Sequence, residues 1–150
     1  MIKINLMAIG SDHAGFEFKE KIKSLLTNLK INFIDCGTHS SEKSDYPDFA
    51  HSVSNKVSLN DCDYGILICG SGIGMSIVAN KHKNIRAAVC ESTKTAQLSR
   101  LHNNANILCI GERVINWEMA EKIITTFFET NFEGDRHLNR VNKIHTLTNL

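Results

Sequence analysis

The chain has 150 residues, about one domain's worth, with 42% apolar and 22% charged side chains. That ordinary globular composition excludes intrinsic disorder and collagen-like or coiled-coil architectures. Seventeen basic and sixteen acidic residues leave a formal charge of +1, which argues against a protein built to bind nucleic acid or acidic membrane.

A chain of this length buries roughly 68–70% of its unfolded surface, so it can build a core without staples. One proline and the lack of a Ser/Gly-rich stretch predict a single domain over 1–150. The five cysteines, Cys36, Cys62, Cys69, Cys90 and Cys109, are odd in number and form no C-x-x-C pair. Most lie in apolar runs, where a thiol is a small hydrophobe. A disulfide framework and a zinc ribbon are both disfavoured. The opening residues are too short and too polar for a signal peptide. No run approaches the ~20 apolar residues of a membrane span. The expectation is a soluble protein of a reducing compartment, most simply the cytoplasm.

Short apolar runs alternate with helical patterns. The first run, 4–9, reads as a strand. Phe18, Ile22, Leu25, Leu26 and Leu29 then fall on one face of a helix. A second strand is expected over 31–36. Pro47 suits the first turn of a second helix reaching about Leu59. A third strand, 65–69, runs into a glycine-rich turn and a helix to about Lys81. A fourth strand, 87–90, precedes a helix over 93–102. A fifth, 107–110, precedes a helix marked by Trp117, Ala120, Ile124, Phe127 and Phe128. A basic segment from Arg136 onward reads as a terminal helix. Several strands are apolar on consecutive residues, as strands buried on both faces should be. The alternation predicts an α/β, three-layer αβα Rossmann-like fold: a five-stranded parallel sheet, helices on both faces and a C-terminal basic helix. Ligands then bind at the carboxyl ends of the strands.

That rule sorts the residues that could carry chemistry. Cys69-Gly70-Ser71-Gly72-Ile73-Gly74 follows a buried strand and opens a helix. Its glycines either let backbone N–H groups approach an anion or merely permit a tight turn. It is neither a Walker loop nor a dinucleotide fingerprint. Cys69 sits where the helix dipole favours a thiolate, as a nucleophile or general base; otherwise it is one more buried cysteine. Asp12-His13 follows the first strand, as an acid–base pair or, for Asp12, a helix cap. Tyr46 precedes Pro47 and either lines the site or packs. His102 and Asn103 end the fourth helix. Arg136, Arg140 and Lys143 form one helical stripe, either a solvated face or a phosphate clamp. No carboxylate/histidine cluster shows metal-ligand spacing, so no metal site is expected.

Taken together, Gly10-Ser11-Asp12-His13-Ala14-Gly15, Asp35-Cys36-Gly37-Thr38, Asp45-Tyr46-Pro47, the Cys69–Gly74 turn, Ala79-Asn80-Lys81, Ile85-Arg86-Ala87, His102-Asn103-Asn104-Ala105-Asn106, Gly111-Glu112-Arg113-Val114 and Arg136-His137-Leu138-Asn139-Arg140-Val141 occur in one order. The chain closely resembles the type B ribose-5-phosphate isomerases, within the wider family that includes galactose-6-phosphate isomerase subunits. The resemblance runs to about Ile144. It implies a cofactor-free aldose–ketose isomerase that interconverts ribose 5-phosphate and ribulose 5-phosphate through an enediolate.

The same resemblance assigns roles. Cys69 matches the general base; the alternative glutamate of one branch is replaced here by Met75. Ser71 matches the hydroxyl serving the O1 and O2 positions, and Gly70, Gly72 and Gly74 the anion hole. His102 matches the ring-opening residue, assisted by Asp12. His13, Arg113, Arg136 and Arg140 match the phosphate clamp, and Tyr46 and Asn103 the sugar contacts. Other aldose phosphates, such as galactose 6-phosphate or allose 6-phosphate, are alternative substrates, and a non-catalytic sugar-phosphate sensor is an alternative class. Topology adds an expectation. The fourth helix runs back from the carboxyl edge of the sheet, so His102 lies too far to meet Cys69 of its own chain. A homodimer, or a dimer of dimers, with sites shared between subunits is therefore expected.

Overall fold

A computed structural model describes residues 2–150. Five strands form one parallel sheet: β1 (Met7–Ser11), β2 (Phe33–Asp35), β3 (Tyr64–Cys69), β4 (Ala87–Val89) and β5 (Ile107–Gly111), in the order β2-β1-β3-β5-β4. Six helices accompany them: α1 (Phe16–Asn28), α2 (Tyr46–Ser58), α3 (Ile73–Ala79), α4 (Thr93–Asn103), α5 (Trp117–Glu129) and α6 (Asp135–Thr148). The expected α/β layers are present.

Helix α1 buries Phe18, Ile22 and Leu26, the stripe expected from their spacing. With α4 and α5 it covers one face of the sheet, where Ile9, Ile68, Leu108, Phe127 and Phe128 pack into one core. Helices α2 and α3 cover the other face through Ala50, Val53, Met75 and Ala79. The central strands β1, β3 and β5 are thus sealed on both sides, which explains their unbroken apolar runs.

Local chemistry fixes the ends. Pro47 stands in the first turn of α2. Ser92 and Thr95 form a reciprocal capping box on α4. Helix α3 stops at Ala79, short of the expected Lys81. Strand β1 begins three residues later than its apolar run suggested. The amides of Asn5 and Leu6 are taken by the Asp63 carboxylate at 2.6 and 3.2 Å, so these residues cannot join the ladder. No helix among the described residues is long and apolar enough to cross a membrane.

The strand order sets the site. From β1 the chain turns outward to β2, and then returns past β1 to β3. This switch opens a crevice between the carboxyl ends of β1 and β3, where ligands of such sheets bind. Ser11 pairs with Ile68 there, and Cys69 pairs with Gly111.

Candidate active site

A cavity of about 450 Å³ opens at that crevice. The turn after β1 supplies Asp12, His13 and Ala14; α2 supplies Tyr46; the turn after β3 supplies Cys69, Gly70, Ser71 and Gly74; the turn after β5 supplies Arg113 and Val114. Three separate loops and the start of α2 therefore converge because β1, β3 and β5 are neighbours in the sheet, although Asp12 and Val114 lie 102 residues apart in sequence.

Cys69 ends β3 with its side chain almost buried, and its Sγ accepts the Gly72 N–H at 3.1 Å. Gly72 adopts φ +77°, a left-handed conformation that makes glycine the natural occupant. This kink turns the chain from strand into α3 without lifting the thiol out of the pocket. Gly72 itself does not line the cavity: its amide is spent on the sulfur, so it supports Cys69 rather than a ligand. Ser71 Oγ accepts the Ile73 N–H at 3.3 Å. The amides of Gly70, Ser71 and Gly74 make no hydrogen bond among the described residues, and all three residues line the cavity. The other four thiols are pushed above their ordinary range by burial, as suits inert packing.

Asp12 combines the two roles open in the sequence. Its Oδ1 accepts the amides of Ala14 and Gly15, capping the short turn before α1, while Oδ2 is unbonded among the described residues and the residue lines the cavity. His13 is fixed by Ser44, whose backbone O and N lie 3.1 and 3.2 Å from Nδ1; its Nε2 makes no hydrogen bond among the described residues. Ser44 carries no motif of its own, and only the fold reveals its contact.

The loop bearing Ser44 is anchored from below. Lys19 is fully buried, and its Nζ meets Asp35 Oδ2 at 2.6 Å, with Lys23 at 2.8 Å. Asp35 Oδ1 accepts the Gly37 amide. Burial opposes the Asp35 charge, but the two ammoniums and this amide outweigh it and hold the carboxyl below its usual range. Arg113 lies over Gly70 and forms no ion pair among the described residues. It is an uncompensated cation at the rim of the cavity.

The remaining expected residues lie elsewhere. Helix α4 runs back to the amino edge of the sheet, where Asn106 O accepts the Gly65 amide and Asn106 N donates to Arg86 O. His102 and Asn103 close that helix. Asn103 borders a second cavity of about 280 Å³ with Arg86 and Ile144. His102 stacks on His137 at 4.3 Å between ring centroids. Arg136 and Arg140 open α6 and make no carboxylate pair among the described residues. One chain thus holds two groups of expected residues at opposite edges of one sheet.

The expectation of no carboxylate/histidine cluster with metal-ligand spacing needs correction. His102, Glu133 and His137 place their donor atoms within 4.8 Å of one another. Glu133 and His137 are four apart, but the third member comes from another helix, so spacing alone concealed it. Burial, together with the neighbouring His102 and Arg136, holds the His137 imidazole below its ordinary range.

Comparison with known proteins settles the lineage. The ribose/galactose isomerase family model matches residues 7–144. The chain belongs to the ribose/galactose isomerase family. It is 46% identical to ribose-5-phosphate isomerase B of Escherichia coli K12, over 92% of this chain and 93% of that protein. The structure of ribose-5-phosphate isomerase B from Clostridium thermocellum superposes with a TM-score of 0.95 at 46% identity, covering 96% and 97% of the two chains. That of Mycoplasma genitalium, with bound ribulose-5-phosphate, gives 0.92 at 42%, covering 96% of each. As a member of this family the chain is a sugar-phosphate isomerase, and the all-parallel sheet described above is the family's fold.

Proposed function

We propose that the chain interconverts ribose 5-phosphate and ribulose 5-phosphate by proton transfer through an enediolate, with Cys69 as the base. The observation that carries this reading is the turn after β3. It sets a nearly buried sulfur beside the unengaged amides of Gly70, Ser71 and Gly74. Removing the C2 proton of an open-chain aldose leaves negative charge on O1. Fixed N–H donors stabilise that charge without reorganising. Cys69 Sγ takes the proton from C2 and returns it to C1, while Ser71 Oγ serves the proton exchanged between O2 and O1. The steps move protons only and need no redox group. The relative from Mycoplasma genitalium, with its bound ribulose-5-phosphate, supports the choice of pentose phosphate.

The site is completed by a second copy. His102 is the tenth of the 11 residues of α4, so the helix carries it about 15 Å back from the edge that holds Cys69. In a two-fold homodimer the partner subunit's His102 opens the sugar ring beside Asp12, and the partner subunit's Asn103 and Arg136 and Arg140 join Tyr46, His13 and Arg113 around the sugar and its phosphate. A partner surface is available beside the pocket. Ile73 and Ile77, one turn apart on α3, are 53% and 58% exposed, and covering such side chains favours association. The phosphate anchors the substrate, and its binding energy holds C2 against the sulfur.

The test is turnover by purified protein of ribose 5-phosphate, galactose 6-phosphate and allose 6-phosphate, followed by ketose formation. The expected result is turnover of ribose 5-phosphate, lost in Cys69→Ala with substrate binding retained. Near-wild-type turnover in Cys69→Ala overturns the base. Preference for a six-carbon phosphate overturns the substrate, and tight binding without turnover of any of the three identifies a sensor.

A further inference from the structure

The cluster formed by His102, Glu133 and His137 lies outside the cavity around Cys69 of its own chain, and the chemistry proposed above uses only its first member. We propose that these three side chains bind a transition-metal dication of the zinc class, and that its occupancy stops isomerisation by tying up His102. The binding half stands on geometry alone; the inhibition rests on the proposed role of His102.

Two imidazoles and one carboxylate are the donor set of three-ligand zinc sites, which leave a fourth position for water. Nitrogen donors also select zinc, nickel or copper over magnesium or calcium. Glu133 Oε2 lies 3.5 Å from His137 Nε2 and 3.9 Å from His102 Nε2. Metal–donor bonds of 2.0–2.2 Å in a tetrahedron put donors roughly 3.3–3.6 Å apart. The Glu133–His137 edge is therefore already at its bound length, and the His102–Glu133 edge has roughly 0.3–0.6 Å to close.

Two adjustments are required, and the structure permits both. The His102 and His137 rings stack with planes only 11° apart, and parallel rings cannot both aim a lone pair at one ion. His102 is the ring that swings out, because its side chain is 39% exposed while His137 is buried. Arg136 Nε–H also donates to His137 Nε2 at 3.4 Å and must withdraw. Its side chain is exposed and free to do so. The nearby arginine charge opposes a dication and keeps the affinity below that of closed structural zinc sites, as suits a reversible inhibitor rather than a resident ion.

The experiment uses the full chain and Zn²⁺ itself as the probe. Binding is measured by competition with a chromophoric chelator, and inhibition by titrating Zn²⁺ into the isomerase assay. The expected result is one Zn²⁺ per chain, with inhibition tracking occupancy. Glu133→Gln, at an exposed position, keeps wild-type turnover in chelator. It and His137→Gln each weaken Zn²⁺ binding roughly tenfold or more and shift inhibition by the same factor. Cys69→Ala, although inactive, binds Zn²⁺ as wild type does. So does His51→Gln, which breaks the other close histidine pair, His51–His82. Unchanged Zn²⁺ affinity in both Glu133→Gln and His137→Gln overturns the site, as does loss of binding in Cys69→Ala. Zn²⁺ binding that depends on Glu133 and His137 but leaves turnover intact overturns the inhibition and the ring-opening role of His102, while the Cys69 chemistry stands.

Discussion

Subunit complementation tests the shared site most directly. The perturbation is a pair of single variants, Cys69→Ala and His102→Ala, each expected to be inactive alone. The magnitude follows from the separation of the two residues. β4 ends at Val89 on the carboxyl edge and α4 covers Thr93–Asn103; at 1.5 Å per residue this helix carries His102 about 15 Å away. Asn106, three residues beyond α4, is hydrogen-bonded at the start of β3 and next to β4, which confirms that α4 reaches the amino edge. A substrate of five carbons cannot touch both residues of one chain. In a mixed two-fold dimer, one site loses both groups and the other keeps both. Random exchange makes about half the dimers mixed, so about a quarter of wild-type activity should return. The assay is ketose formation after mixing equal amounts, with exchange followed by native mass spectrometry. A mixed population shown by mass and an activity still at zero refutes the reasoning, because a site contained in one chain is never repaired by mixing.

Three further outcomes are expected. Arg136→Ala and Arg140→Ala should each lower kcat/KM by roughly ten- to a hundredfold, the size of a lost charged hydrogen bond, mainly through KM; normal kinetics in both would leave the basic stripe a solvated face. A methyl on Gly74 would sit 2.8 Å from the Tyr46 ring, so Gly74→Ala should displace that ring and depress kcat/KM, at a stability cost of about 1–3 kcal/mol. Unaltered kinetics and an unaltered melting temperature together contradict that contact. The depressed Asp35 carboxyl gives the third outcome, and its sign is fixed. A group more acidic in the folded chain adds stability that is present above the unfolded value, about 3.9, and lost as pH falls through the folded one. Asp35→Asn should therefore lower stability at neutral pH and flatten the acid limb of a urea-unfolding series run from pH 7 to pH 3; parallel curves for the two proteins count against the Lys19–Asp35 pair.

What could be read from the sequence follows from the range of the interactions involved. Periodic burial is local, so the stripe of α1, the apolar central strands and the order of elements were all legible before any coordinates. The carboxyl-edge rule then gathered Asp12, Cys69 and Arg113 correctly, because one topological statement replaces many distances. It failed where a side chain far along the sequence intervenes. Asp63 takes the amides that would have extended β1, Ser44 holds His13, and a completely buried lysine, Lys19, is neutralised from β2 and α1 rather than exposed. None of these pairings has a periodic signature. The same limit governs chemistry. Gly72 sits inside the glycine motif, yet its amide is turned onto Cys69 Sγ instead of the cavity; composition gives the number of available donors, and only the backbone path gives their direction. His102, Glu133 and His137 show the converse: three residues with no shared motif become one chemical unit because Glu133 N is hydrogen-bonded to Leu101 O, pinning the start of the last segment to the end of α4. Together with Arg100 Nε donating to Thr130 O and the stacking of His102 on His137, this contact between distant segments creates a donor set that no spacing rule contains.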